Sequence, residues 1–125
     1  MRTFVIAEET GGESLLGDHG GVGTLEFRRL MVADEFSSSI DFVDYTIIPA
    51  GSTIGLHQHT GNEELYLIVS GVAVVTVEQE ERQLTRGSIG IVRSGQSHKL
   101  RNGGDSPVAM FVVQVSLTER GKANL

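Results

Sequence analysis

Three of the four histidines of this 125-residue chain stand where they could bind a metal ion together. His57 and His59 form His-x-His in GSTIGLHQHTGNEELYLIVSG, and Glu64 follows five positions after His59. His98 comes 39 residues after His59 (98 minus 59), in GSIGIVRSGQSHKLRN. Imidazole nitrogen and carboxylate oxygen are ligands for first-row divalent metals, and a single intervening residue puts both histidines on one face of a strand. Three neutral imidazoles and one carboxylate leave one or two positions open on an octahedral ion. That donor set suits Fe(II), Mn(II), Ni(II) or Zn(II) and does not choose among them. An ion with open positions can polarise a carbonyl, acidify a water or, if redox-active, bind dioxygen. Glu63 is the rival carboxylate, and the spacing to the glycine at 71 favours Glu64.

Placing these residues together is a task for strands. The chain has 16 Gly, two Pro and many Val, Ile and Leu, the composition of short strands joined by glycine turns. Candidate strands are 24–32, 41–49, 52–59, 64–70, 72–78, 82–85, 88–93, 98–101 and 108–115, with a short one at 4–7 and one helical turn within ADEFSSSID. Eight or nine strands at this spacing imply an antiparallel sandwich or barrel. The expected organisation is an irregular segment or short edge strand over 1–21, one domain over 22–116, and a polar, frayed tail over 117–125. Along 64–69 the alternation sets Glu64, Tyr66 and Ile68 on one face and Leu65, Leu67 and Val69 on the other.

Composition removes several function classes. With no Cys there is no disulfide, thiolate metal site or Cys nucleophile. The formal charge of −6 and the absence of a basic patch argue against nucleic acid as a partner. The start, MRTFVIAEETGGE, reads as neither signal peptide nor membrane span, so no membrane partner is expected and the cytoplasm is the default location.

The two histidine segments resemble the two motifs of the cupin superfamily, G(x)5HxH(x)3–4E(x)6G and G(x)5PxG(x)2H(x)3N. Gly51, His57, His59, Glu64 and Gly71 match the first; Gly87, Gly95, His98 and Asn102 match the second, and only the proline is replaced, by Arg93. The motifs and the 15-residue stretch between them, 72–86, cover residues 51–102. The resemblance implies an all-β, antiparallel, single-domain jelly-roll β-barrel holding one divalent metal on His57, His59, Glu64 and His98. It further implies a metal-dependent enzyme acting on a small, carboxylate-bearing molecule. Oxygen-dependent oxidation is the first choice, with a place in bacterial natural-product biosynthesis. The alternatives are Lewis-acid chemistry (lyase, isomerase or amino-acid rearrangement with N–N bond formation) and a non-catalytic metabolite-binding module. Sensors of that last kind are usually fused to a helix-turn-helix domain, for which this chain has no room.

Around the ligands, three residues are candidates for catalysis. Tyr66 shares the parity of Glu64 and would face the cavity, as lining or as a proton mover. His19, in DHGGVG, would be a proton carrier or an extra ligand if its segment folds across the barrel opening, and a loop residue otherwise. Arg29 shares a face with Leu25, Phe27 and Met31, and a buried Arg needs an anion. That anion would be a core carboxylate, a residue of a second copy, or a substrate carboxylate or phosphate. Tyr45 and Gln114 are further pocket candidates. Gly71 and Gly95 read as turn residues, and Asn102 as a bond to local backbone. Arg93 reads as a solvated turn residue, with an anion contact at the barrel mouth as the alternative. A homodimer is expected, because the apolar strands VAVVTV and VAMFVVQV would otherwise leave edges to protect.

Overall fold

A computed structural model describes residues 2–117, so the expected tail lies outside the described residues except for Leu117. Ten strands follow in chain order: β1 (Glu13–Leu16), β2 (Thr24–Val32), β3 (Ile40–Ile48), β4 (Thr53–Gln58) and β5 (Asn62–Ser70), then β6 (Ala73–Val77), β7 (Glu80–Leu84), β8 (Ile89–Val92), β9 (Ser97–Asn102) and β10 (Val108–Ser116). They form two antiparallel sheets, one of six strands in the order β1-β2-β3-β10-β5-β8 and one of four in the order β4-β9-β6-β7. Among the described residues the sheets are not hydrogen-bonded into a closed cylinder, so the expected barrel is a jelly roll open at its edges. No helix among the described residues is long and apolar enough to cross a membrane.

The period of two in the sequence is what makes the interior. Along β5 Glu64, Tyr66 and Ile68 are buried while Leu65 and Leu67 are only partly covered. Along β9 the buried positions are His98, Leu100 and Asn102. The core is filled from both sheets, with Leu25, Ile48, Ile68, Val92 and Met110 on one side and Ile54, Val75 and Leu100 on the other. One layer of side chains between two sheets buries much of that face, including the site residues His59, Glu64, Tyr66 and His98.

Four details differ from the sequence reading. Residues 4–7 form no strand: a 3₁₀ turn spans Ala7–Glu9, and Phe4 is 79% exposed. The strand of this region is β1, paired antiparallel on β2 with Leu15 opposite Leu25. All four β1 residues are exposed, so no buried alternation marks them. Third, β6 lies between β9 and β7, and β10 between β3 and β5, so neither VAVVTV nor VAMFVVQV presents a free edge. The edge argument for a dimer therefore does not apply to them. Fourth, Tyr45 is opposite in parity to the cavity-facing Asp44 and Thr46 and packs edge-on against Phe111 at 5.1 Å.

Turn chemistry follows expectation. Gly71 and Gly95 have φ of +83° and +91°. Asn102 Nδ2 donates to the carbonyl oxygens of Ile48 and Ser106, and its Oδ1 accepts from Gly104 N, which ties the β9–β10 loop to the end of β3. The helical turn expected in ADEFSSSID is a 3₁₀ turn at Ala33–Glu35.

Candidate metal centre

His57 and His98 are paired across the β4–β9 ladder, and His59 follows just beyond the end of β4. The β4–β9 register shifts between Ile54 and His57, which lets both Ile54 and His57 line the cavity while Leu56 is 65% exposed. A bulge that re-aims one side chain beside a site is a common use of that irregularity. The three imidazoles meet at one point: His98 Nε2 lies 2.8 Å from His57 Nε2 and 2.9 Å from His59 Nε2.

Two of the rings are held by their other nitrogen. His57 Nδ1 donates to the Gly55 carbonyl oxygen at 2.9 Å, and His59 Nδ1 donates to Asn62 Oδ1 at 2.7 Å. Both therefore carry the proton on Nδ1 and turn an Nε2 lone pair toward His98 Nε2. Tyr66 Oη lies against the His98 ring, 2.6 Å from Nδ1 and 3.2 Å from Nε2, and the Tyr66 hydroxyl donates to Glu64 Oε1 at 2.9 Å. Lone pairs brought this close repel unless a cation lies between them. Two nitrogens at right angles around an ion, each about 2.1 Å from it, would be about 3.0 Å apart. The donor set, its tautomers and its spacing fit one first-row divalent ion.

The electrostatics point the same way. Burial, then the neighbouring imidazoles, push the His98 pKa down to about 3, and burial also lowers that of His57. Such rings are neutral donors at neutral pH. Burial raises the pKa of Glu64, against the pull of His59 and Tyr66, and that of Tyr66 well above the ordinary phenol value. Tyr66 therefore keeps its proton and links the two residues, donating to Glu64 while its oxygen lies against the His98 ring. Tyr66→Phe keeps the ring but removes both contacts. Outer partners of this sort are typically worth 10–100-fold in metal affinity, and a loss of about that size is the expected result by calorimetric titration. An unchanged affinity would show that the link orients nothing.

Glu64 is 8% exposed, and its Oε1 lies 3.5 Å from His59 Nε2. It stands beside the imidazole trio, whose ligand atoms are all within 4.8 Å of one another and which does not include it. Glu63 is of opposite parity and does not line the cavity.

His19 does reach the site. Its segment folds over β4, and its ring lies flat on His57, with centroids 3.6 Å apart and planes within 8°. The ring stacks on His57, and its Nε2 is 3.6 Å from Asp18 Oδ1. His19 has a positive φ of 50°, uncommon for a residue with a Cβ. The close approach depends on Gly55, where a Cβ would overlap the His19 carbonyl. Gly55→Ala should therefore lift residues 17–23 and speed amide exchange there, while the trio, which uses no atom of His19, still binds metal. Unaltered exchange in that segment would refute the packing argument.

Arg29 is half-exposed rather than buried, and its anion is a core carboxylate. It donates through Nε and Nη2 to both oxygens of Asp44, at 2.9 and 3.0 Å, with its guanidinium 4.1 Å above the Phe42 ring. Gln114 lines the cavity and donates to Asp41. Arg93 is exposed, lies outside this cavity, and shares a separate surface hollow with Arg82 and Glu78. Two site residues escaped the sequence reading. Asn62, three residues after His59, carried a local signal; Asp44 carried none, because its partner is 15 residues away across the β2–β3 ladder.

A family model described as Cupin domain matches residues 44–114, more than half of the chain. The chain belongs to the cupin family. This cupin is 26% identical over 113 residues to an Oxalate-binding protein of Thermotoga maritima, covering 90% of this chain and 93% of that one. It is 28% identical over 115 residues to the Tetracenomycin polyketide synthase protein TcmJ of Streptomyces glaucescens, covering 92% and 75% of the two chains. It also superposes on the crystal structure of a predicted oxalate decarboxylase from Thermotoga maritima with a TM-score of 0.88 at 26% identity, covering 92% and 100%. As a cupin it has a histidine cluster able to hold a metal ion.

Proposed function

We propose that this cupin is an enzyme that holds one divalent metal on His57, His59 and His98, with Glu64 as a fourth ligand, and carries out oxygen-dependent chemistry on a small carboxylate-bearing molecule. The observation that carries it is the approach of the Nε2 atoms of His57 and His59, each ring fixed through Nδ1, to His98 Nε2. A redox-active ion such as Fe(II) would supply electron transfer to dioxygen, and Zn(II) in its place would supply only polarisation of a carbonyl.

The protein's own contribution is arrangement. The Gly55 carbonyl and Asn62 hold His57 and His59 in one tautomer. Burial favours the neutral form of His57 and His98. His19 covers the outer face of His57 and narrows the approach. Tyr66 holds a proton between His98 and Glu64, at the atom from which a carboxylate could receive it.

Elemental analysis of protein purified without chelators or an affinity column should find one equivalent of a first-row metal. Anaerobic Fe(II)-loaded protein mixed with candidate carboxylates should then consume dioxygen. Tight zinc with no oxygen uptake would move the reading to Lewis-acid chemistry; no metal at all, with melting unchanged by Fe, Mn, Ni or Zn, would end it. A second reading, binding of a small dicarboxylate without turnover, is favoured by the likeness to the Thermotoga maritima Oxalate-binding protein. It predicts saturable oxalate binding and no product.

A further inference from the structure

The cavity lined by His57 and His59 is much larger than an ion and a two-carbon acid would fill. It measures about 540 Å³, within the roughly 300–1,000 Å³ of sites that enclose drug-sized ligands. Its lining carries both polar and apolar side chains. The imidazoles of His57 and His59 belong to the four-stranded side. Facing them from the six-stranded sheet are Leu25, Phe27, Phe42, Met110 and Val112, on β2, β3 and β10.

Charge narrows the choice further. The acidic residues on the lining are Asp18, Asp44 and Glu64, against a single guanidinium, Arg29. Arg29 already donates through Nε and Nη2 to Asp44 and lays its face on Phe42. Away from the histidines, the lining therefore offers a second carboxylate or a phosphate only a guanidinium that is already paired. A negative group there would have to compete with Asp44 for that one cation. A flat apolar group, by contrast, would cover the partly exposed Phe27 and Phe42 and displace water from surface that cannot bond it.

We infer that the ligand of this site has a chelating oxygen pair at one end and an uncharged, ring-sized apolar body at the other, as an aromatic 2-hydroxy acid has. The head meets the metal on the imidazoles, and the body lies against β2, β3 and β10. This rests on the metal reading above for the head alone. The body follows from the cavity itself.

Equilibrium titration of Co(II)-loaded and metal-free protein with four probes tests both parts. The probes are oxalate, 3-hydroxy-2-naphthoate, salicylate, and 4-hydroxyisophthalate, which adds a distal carboxylate to the salicylate head. On the cobalt protein the naphthoate should bind roughly tenfold or more tighter than oxalate, from the extra apolar area it covers, and should perturb the cobalt absorption bands. The isophthalate should bind more weakly than salicylate itself. Phe27→Ala should narrow the naphthoate-to-oxalate ratio. Oxalate binding as tightly as the naphthoate, or an isophthalate as tight as salicylate, would overturn the inference while leaving the metal in place. Naphthoate binding equally to cobalt-loaded and metal-free protein would instead uphold the ring-sized body and reject the metal reading.

Discussion

Replacing His98 by Gln lowers the affinity for a first-row divalent ion by more than about a hundredfold, because a ligand is lost where even its outer partners are worth 10–100-fold. His98 is the hinge of the trio: its Nε2 is the atom both other rings approach, at 2.8 and 2.9 Å. It is also only 1% exposed, so neither water nor a surface side chain replaces it. The amide is chosen over Ala because it fills much of the space and can still meet the Tyr66 hydroxyl. Loss of metal is then not confused with loss of fold. Isothermal titration with Co(II) or Zn(II), alongside a urea melt, separates the two. Retained affinity with an intact fold would mean the three nitrogens do not share an ion.

Gly71→Ala is expected to cost about 2–5 kcal/mol of folding stability. Two separate penalties add. A φ of +83° puts an L residue in the left-handed region, at about 1–2 kcal/mol. A Cβ there also runs into the backbone of Pro107 and Val108, at the start of β10, and forcing such a shift typically costs 1–3 kcal/mol. The β5–β6 turn and the strand beside β5 cannot both stay in place. Gly95→Ala is the control: its φ is +91°, but nothing lies within 4 Å of the new methyl, so only the first penalty applies. Urea unfolding of the two variants should differ clearly, and equal midpoints would discredit the clash. Against a total of about 5–15 kcal/mol for a native domain, the Gly71 cost is large.

Much of the site could be read from residue order because it is built on short ladders. His57 and His98 are opposite one another in β4 and β9, and Glu64 and Tyr66 alternate on β5 with a period that sequence displays directly. The same alternation assigned Leu65 and Leu67 to the other face. The turns at Gly71 and Gly95 were legible for a related reason: only glycine adopts their φ without strain.

What escaped lies where partners are distant or nothing is buried. β1 is exposed along its whole length, so Glu13–Leu16 carries no alternation, whereas the apolar run at 4–7 invited a strand that does not form. Tyr45 looked like a pocket residue by type, yet its neighbour Asp44 holds the inward position. The strands VAVVTV and VAMFVVQV looked like edges because sequence shows hydrophobicity and not order within a sheet; both are interior.

By itself, then, the sequence determined the family, the antiparallel fold and the three imidazoles able to share an ion, because motif spacing and strand parity are local properties. The tertiary structure alone decided that His19 lies flat on His57, that Arg29 is closed on Asp44, and that Tyr66 links His98 to Glu64. Each depends on which strands become neighbours and where a loop returns. Those are set by burial summed over the whole chain, which no short stretch of it contains.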